Sequence, residues 1–556
     1  MSTAELIVLN ARILTMDPAR PRAQAVALGG GRVRALGLDP EVRALAGPGT
    51  RILDARGATV LPGLIESHLH LFMGGMELAH LQLGGVTAIE ALAEALRAHA
   101  AAHPERPVLV GQGCSYSFGG RALTRQDLDA ILPDRPVILI AADHHTGWAN
   151  TVALERAGIL RGRALSPGNE IVMGPDGLAS GELREFEAKA PVLRLAGEER
   201  VMAGIATGDE PVPAPTPDDL IADCTPMARG LAHCARHGLT SLVNMDGNRY
   251  TLEVLSELRR QGRLTARVRV PFHYRPHRTP ADLAIASAMA AEWNDDWLAS
   301  GLVKFFMDGV IDSTTAVRLD DYPGRPGYKG ADALHTPEAF AAACIEADRR
   351  GLQMATHAIG DGAVRRVLDG YAAAREANGA RDARHRIEHI ELIDRADIPR
   401  LAALGVIASV QPCHVPGGQD FPLHETMAVI GRDRWRDAYL ARTLAEAGAR
   451  LAFATDWPVA DVNPLRCIQT AVTRAAYEGG RDERVSLHEA LAAYTTGGAH
   501  AEHTDDRKGM LRPGYLADLV VLDGDIEAVR PDEIGGLSVA QTVVDGRIVW
   551  DAGEMA

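Results

Sequence analysis

The sequence predicts an α/β protein: a distorted (β/α)8 TIM barrel with an insertion, plus a small β-sandwich formed by both chain termini. Three observations carry that prediction. Both ends read as short strands, the long middle alternates strand-like and helical stretches, and no G-x-G-x-x-G turn opens a helix after the first middle strand, which argues against an open doubly wound sheet.

At the N-terminal end, ELIVLNARILTM, AQAVALGGGRVRALG and TRILDARGATVLPG alternate apolar runs with Gly, Asn and Pro punctuation. The C-terminal end does the same in YLADLVVLDGDI and SVAQTVVDGRIVWDAG, with Asp-Gly turns at 523–524 and 545–546. Because chain ends often lie close together, residues 1–62 and 506–556 are expected to form one composite sandwich domain, leaving 63–505 as the inserted barrel. In that middle, the runs at 135–143, 239–247, 265–274, 302–309, 351–358, 384–390, 405–412 and 450–458 read as strands. Amphipathic stretches such as 336–351 and 441–450 separate several of them, the pattern of parallel βαβ units. Roughly 108–235 is irregular and rich in Gly and Pro, too long for one βα loop, and reads as an inserted subdomain at the barrel mouth.

A chain of 556 residues, 46% hydrophobic and 24% charged, is expected to fold as two or three globular units. The net charge of −15 argues against a nucleic-acid partner, since phosphate binding needs a basic surface. No apolar run reaches the length of a membrane span and the N-terminal stretch lacks signal-peptide character, so a cytoplasmic protein without membrane partners is expected. Six cysteines scattered without C-x-x-C spacing predict small buried residues rather than disulfides.

The chemistry gathers at strand ends. In LPGLIESHLHLF (61–72), His68 and His70 fall two apart, so in an extended strand both imidazoles face one side. Lys304 sits in LVKFFMDG, His357 ends QMATH, His389 ends RIEH and Asp456 follows LAFAT. The strand C-termini of a barrel form one face, so residues far apart in sequence can converge there. Four imidazoles and a carboxylate suit one or two divalent ions, Zn²⁺ or a similar first-row metal. A lysine ammonium would repel a cation, so Lys304 either lies outside the shell or loses its charge, for example as a carbamate formed with CO₂.

With those motifs in order, the sequence resembles the metal-dependent amidohydrolase superfamily, in the amidohydrolase-3 branch typified by N-substituted formamide deformylases. PGLIESHLH, VKFFMDGVIDSTTA, THAIGDGAV, RIEHIE, FATDWPV and GMLRPGYLADLVVLD carry the resemblance across nearly the whole chain. It implies that His68, His70 and Asp456 hold one metal, that His357 and His389 hold a second, and that carboxylated Lys304 bridges both. Glu66 stands where the family usually has Asp. The implied activity is hydrolysis of a C–N bond in an amide, formamide or cyclic amide, with Asp456 taking a proton from metal-activated water and passing it to the leaving nitrogen. Family habit implies a homodimer acting on a small molecule.

AADHHTGWAN (141–150) resembles a family segment that would place His145, Trp148 and Asn150 at the substrate. Gln411 and His414 in SVQPCH, and Cys114 and Tyr116 in GQGCSYSFGG, are further substrate-contact candidates, and Asp308 and Asp361 are expected to orient ligating groups. The remaining histidines, His233 and His237 among them, have no matching context and read as surface or structural. Two other functions are compatible with this fold: the same site acting on an ester, lactone or phosphoester or in decarboxylation, and a non-catalytic binding protein, which would be expected to lack ligands.

Overall fold

Strand after strand in the middle of the chain is buried along its whole length, as parallel strands covered on their outer face by helices are. The computed structural model describes all residues except 1–3, 142–143, 145, 166–168, 198–207, 419–420, 422 and 555–556, and the side chains of 425 and 554. The chain forms two compact units, Met1–Leu71 with Leu231–Ala556, and Phe72–Gly230.

The first unit contains the barrel. Its strands, in chain order, are Leu64–Leu69, Leu239–Asn244, Arg267–Arg269 continued by Phe272–His273, Leu302–Phe306, Gln353–Ala358, Arg386–His389, Ile407–Val410 and Leu451–Phe453. Neighbours pair in parallel all along this series. The third strand is broken at Pro271, which has no N–H for the ladder, so its two pieces belong to separate hydrogen-bonded sheets. The eighth strand closes on the first through Asp456 N–H to the His68 carbonyl (3.0 Å) and His70 N–H to the Trp457 carbonyl (2.7 Å). Closure is therefore made by the segments that carry His68, His70 and Asp456.

Local sequence explains the helices between these strands. The helix Pro337–Arg349 starts with Thr336 accepting the Ala339 N–H and with Pro at its first position, where a missing N–H costs nothing. It packs beside Asp361–Asn378, and Gly370 is required there because a Cβ would meet the Phe340 ring at 2.5 Å.

Both chain ends build the sandwich, as expected. One sheet holds Arg32–Gly37, Ala25–Gly29, Leu6–Leu9 and Arg51–Asp54; the other runs Arg547–Asp551, Val539–Val544, Leu519–Leu522, Thr59–Pro62, Arg12–Leu14 and Arg22–Ala23. The terminal segments meet where Leu519–Leu522 pairs antiparallel with Thr59–Pro62. Val8, Ile13, Val26, Val60, Leu519 and Val543 share the core between them. Arg267 on the third barrel strand grips Asp518 with Nε at 2.7 Å and Nη2 at 3.0 Å, a buried two-point ion pair between barrel and sandwich.

The second unit is a mixed six-stranded sheet in the order Glu170–Met173, Ala179–Arg184, Thr146–Ala149, Val137–Ala141, Leu109–Cys114 and Leu81–Gln82. Alternation along Val137–Ala141 sends Leu139 into one core with Leu92, Leu128 and Trp148, and Ile138 and Ile140 into another with Leu154 and Leu183. Among the described residues, no helix is long and apolar enough to cross a membrane.

Candidate metal centre

At the C-terminal ends of the barrel strands, His68, His70 and Asp456 offer ligand atoms that all lie within 4.8 Å of one another. Asp456 Oδ1 stands 3.3 Å from His68 Nε2 and 3.2 Å from His70 Nε2. Two strand-end residues adopt left-handed backbone, His389 at φ 78° and Asp456 at φ 61°. Such a conformation is costly for a non-glycine residue and occurs often at functional sites.

The rings are oriented from behind. His68 Nδ1 meets Glu388 Oε2 at 2.8 Å and His70 Nδ1 meets Asp246 Oδ1 at 2.5 Å. With Nδ1 donating to a carboxylate, a neutral ring turns the Nε2 lone pair toward Asp456. Glu388 is gripped in turn by Arg386 Nε at 2.9 Å and Nη2 at 3.0 Å, both side chains wholly buried. Neither Glu388 nor Asp246 was singled out from sequence, although Glu388 immediately precedes His389 and Asp246 lies two residues past a strand end. Glu388→Gln is expected to lower metal affinity or turnover by about 10–100-fold, read by metal analysis beside activity.

His389 Nδ1 is held by Gln411 Oε1 at 2.9 Å, so Gln411 orients an imidazole of the site. His357 packs its ring on His389 with centroids 4.6 Å apart, and its Nε2 meets the Gly309 carbonyl at 3.1 Å. His414 lies parallel to His389, 6.3 Å between centroids, and His389, His414 and Asp456 form another set of ligand atoms within 4.8 Å. Lys304 is buried with Nζ 4.7 Å from the Phe306 ring centre.

The electrostatics fit a bound cation. Lys304 Nζ and Asp456 Oδ1 are buried and make no hydrogen bond among the described residues, and an unsatisfied buried polar atom costs roughly 1–3 kcal/mol. Burial, and then the Lys304 charge, lowers His68 to about 4 and His357 to about 3, so both rings stay neutral and able to ligate. Burial lowers Lys304 itself to about 8, against the pull of Glu388 and Asp456. Burial also opposes a charge on His70, but Asp246 and Asp456 outweigh it and raise His70 to about 10; a proton there occupies the position a cation would take. For Asp456 the penalty of burial is overcome by His68, His70 and His389, which hold it well below the usual carboxylate range. Two sets of His and Asp side chains that could hold metal ions are therefore present at the strand ends.

The remaining expected residues fall in different settings. Asp308 accepts from the Val317, Ile359 and Gly360 amides and lies 3.7 Å from His357 Nε2. Burial raises it to about 7 despite those amides. Asp361 is engaged by the Leu319 and Gly362 amides and by Arg434 at 2.6 Å, and it meets no site imidazole among the described residues. Glu66 Oε1 accepts from the Thr455 amide, and burial pushes its carboxyl well above the carboxylate range.

Four of the described candidates belong to the second unit. Asn150 is a wholly buried helix cap: Oδ1 accepts from Val137 and Ala153 N–H, while Nδ2 donates to the Leu132 and Arg135 carbonyls. That uses the whole amide within the unit and leaves nothing for a ligand. Trp148 is buried, with Tyr116 edge-on at 5.2 Å, and the half-exposed Tyr116 donates to Thr146 Oγ1 at 2.9 Å. Cys114 is buried, which pushes its thiol up to about 12 and makes it unreactive. His145 lies outside the described residues.

A profile of the amidohydrolase family matches residues 51–550. The chain is 31% identical over 538 residues to Protein LONG AFTER FAR-RED 3 of Arabidopsis thaliana, across 93% of this chain and 87% of that protein. It is 28% identical to the N-substituted formamide deformylase of Arthrobacter pascens, across 98% of each. An uncharacterized metal-dependent hydrolase from Pyrococcus furiosus shares the fold with a TM-score of 0.72 at 26% identity, over 95% of this chain and 99% of that one.

Proposed function

The chain belongs to the amidohydrolase family of metal-dependent hydrolases acting on C–N bonds, and from that premise we propose that it opens a non-peptide amide, formamide or cyclic amide of a small molecule. The observation that carries this reading is the convergence of His68, His70 and Asp456 near the buried amine of Lys304, which makes no hydrogen bond among the described residues. The alignment with the Arthrobacter deformylase over 98% of both chains favours formamides among these substrates.

His68, His70 and Asp456 would hold one ion, with Zn²⁺ suited to two imidazoles and a carboxylate. His389 would hold a second together with His357. His414 is a rival for that place, because it joins His389 and Asp456 within 4.8 Å. His357→Ala is expected to lower the metal content by one equivalent and His414→Ala to leave it unchanged; elemental analysis showing the reverse would reassign the ligand. Lys304 would bridge the ions as a carbamate. The neutral amine would add to CO₂, forming an N–C bond as one C=O π bond opens and an N–H proton passes to water, and lowering Lys304 to about 8 makes the neutral form accessible near neutral pH.

A bound ion supplies Lewis acidity, acidifying water and polarising the carbonyl oxygen. Glu388, Asp246 and Gln411 keep the imidazoles fixed. Asp456, ionised at neutral pH, accepts the proton released as water adds to the carbonyl carbon and delivers it to the nitrogen as the C–N bond breaks. The net charge of −15 disfavours a nucleic-acid partner.

A panel of N-substituted formamides, N-acyl amino acids, cyclic amides and matched esters tests the proposal on metal-replete protein. Turnover of an amide class above its ester counterpart is expected. Ester turnover far above every amide would overturn it.

A further inference from the structure

A separate group of ligating side chains, sharing no residue with the strand-end site, lies in the same unit. His233 stands in the last turn of the helix that ends at Arg236, and His237 follows four residues later, its amide still bonded to the Cys234 carbonyl at 3.0 Å. Four residues along a helical turn bring side chains to one side, and the two rings lie 4.9 Å apart between centroids. Asp461 comes to them from the loop between the eighth barrel strand and the helix Pro464–Thr473. Ligand atoms of His233, His237 and Asp461 all lie within 4.8 Å of one another.

We propose that His233, His237 and Asp461 form a second, independent site for a first-row divalent metal ion of the Zn²⁺ class, with water completing the coordination. Two imidazoles and one carboxylate are a sufficient protein ligand set for such an ion. Neither imidazole has a hydrogen-bond partner among the described residues, so no protein group competes for the ring nitrogens. Asp461 gives Oδ2 to Arg466 Nη1 at 3.0 Å, which leaves Oδ1 for the ion.

Histidines at a helix C-terminus ordinarily gain from carrying a proton, because the helix dipole favours positive charge there. These do the opposite. Burial first, then the neighbouring His237 and Arg236 charges, lowers His233 to about 4, and burial lowers His237 against the pull of Asp461. Both are neutral at pH 7, the form that ligates.

The position gives the site a consequence. The His233 ring lies 5.3 Å from the Trp457 ring, and the Trp457 carbonyl accepts the His70 amide in the closure of the barrel. An ion joining Asp461 to the helix end would tie down the loop that begins at Asp456.

The test uses full-length protein already loaded at its strand-end site and freed of excess metal. Zn²⁺ titration by calorimetry, with elemental analysis after desalting, is expected to find one further equivalent per chain and a rise in Tm on its binding. His237→Ala and Asp461→Asn should each lose that equivalent and the Tm rise while keeping amide turnover. His237→Gln, which preserves polarity, serves if the alanine variant folds poorly. No further equivalent in the wild type, or the same further equivalent in the variants, would overturn the proposal.

Discussion

Asp456→Asn lowers kcat by about 10²–10⁴-fold, the contribution a positioned proton-transfer group makes to a reaction of this kind. Asn is the informative substitution because it keeps the shape of the side chain and is among the residues that tolerate the left-handed conformation at φ 61°. What it removes is the charge. The carboxylate that faces His68 Nε2 and His70 Nε2 at 3.3 and 3.2 Å becomes a neutral amide that cannot take a proton from water. Steady-state kinetics on the best amide of the substrate panel, with metal content measured on the same samples, separates the two roles proposed for Asp456. A fall in kcat with full metal content isolates proton transfer, and a fall with lost metal isolates ligation. An unchanged kcat would remove Asp456 from the mechanism.

Stripping the protein with a chelator abolishes turnover and lowers Tm, and adding Zn²⁺ back restores both. An ion present at about a thousand times its Kd stabilises the folded chain by roughly 4 kcal/mol, provided the unfolded chain does not bind it. That stabilisation has a local source here. Asp456 Oδ1 is buried and makes no hydrogen bond among the described residues, and a bound ion gives it a partner. His68→Ala should abolish turnover and blunt the Tm response to the chelator, since it deletes one of the three converging ligands. Turnover that survives exhaustive chelation, or a chelator response equally large in His68→Ala, would sink the metal reading.

The residues of the site were legible where chemistry and position coincide. His68, His70, Lys304, His357, His389 and Asp456 each lie within a strand-like run or at its end, and a parallel barrel gathers such ends on one face. Their supports were not legible. The carboxylate behind His68 comes from Glu388, 320 residues away, and that behind His70 from Asp246, 176 residues away. Nothing local marks either carboxylate as a partner, because each contact joins two different strands: Glu388 sits on the sixth, and Asp246 follows the second, which pairs with the first. Asn150 shows the opposite failure: a motif position suggested a ligand contact, but its amide closes four hydrogen bonds inside its own unit.

By itself, the sequence determined the alternation of strands and helices, the return of the C-terminal end to a sandwich with the N-terminal end, and the kinds of ligating atoms available. Those follow from periodicity, turn chemistry and residue type, which are local properties. Only the tertiary structure decided which carboxylate orients which imidazole, that Gln411 faces His389, that His414 stands beside Asp456, and that His233 and His237 meet Asp461. Each of these is a distance between segments far apart in the chain. The physical reason is that closing the barrel between Asp456–Trp457 and His68–His70 sets those distances through hydrogen bonds that no stretch of sequence contains alone.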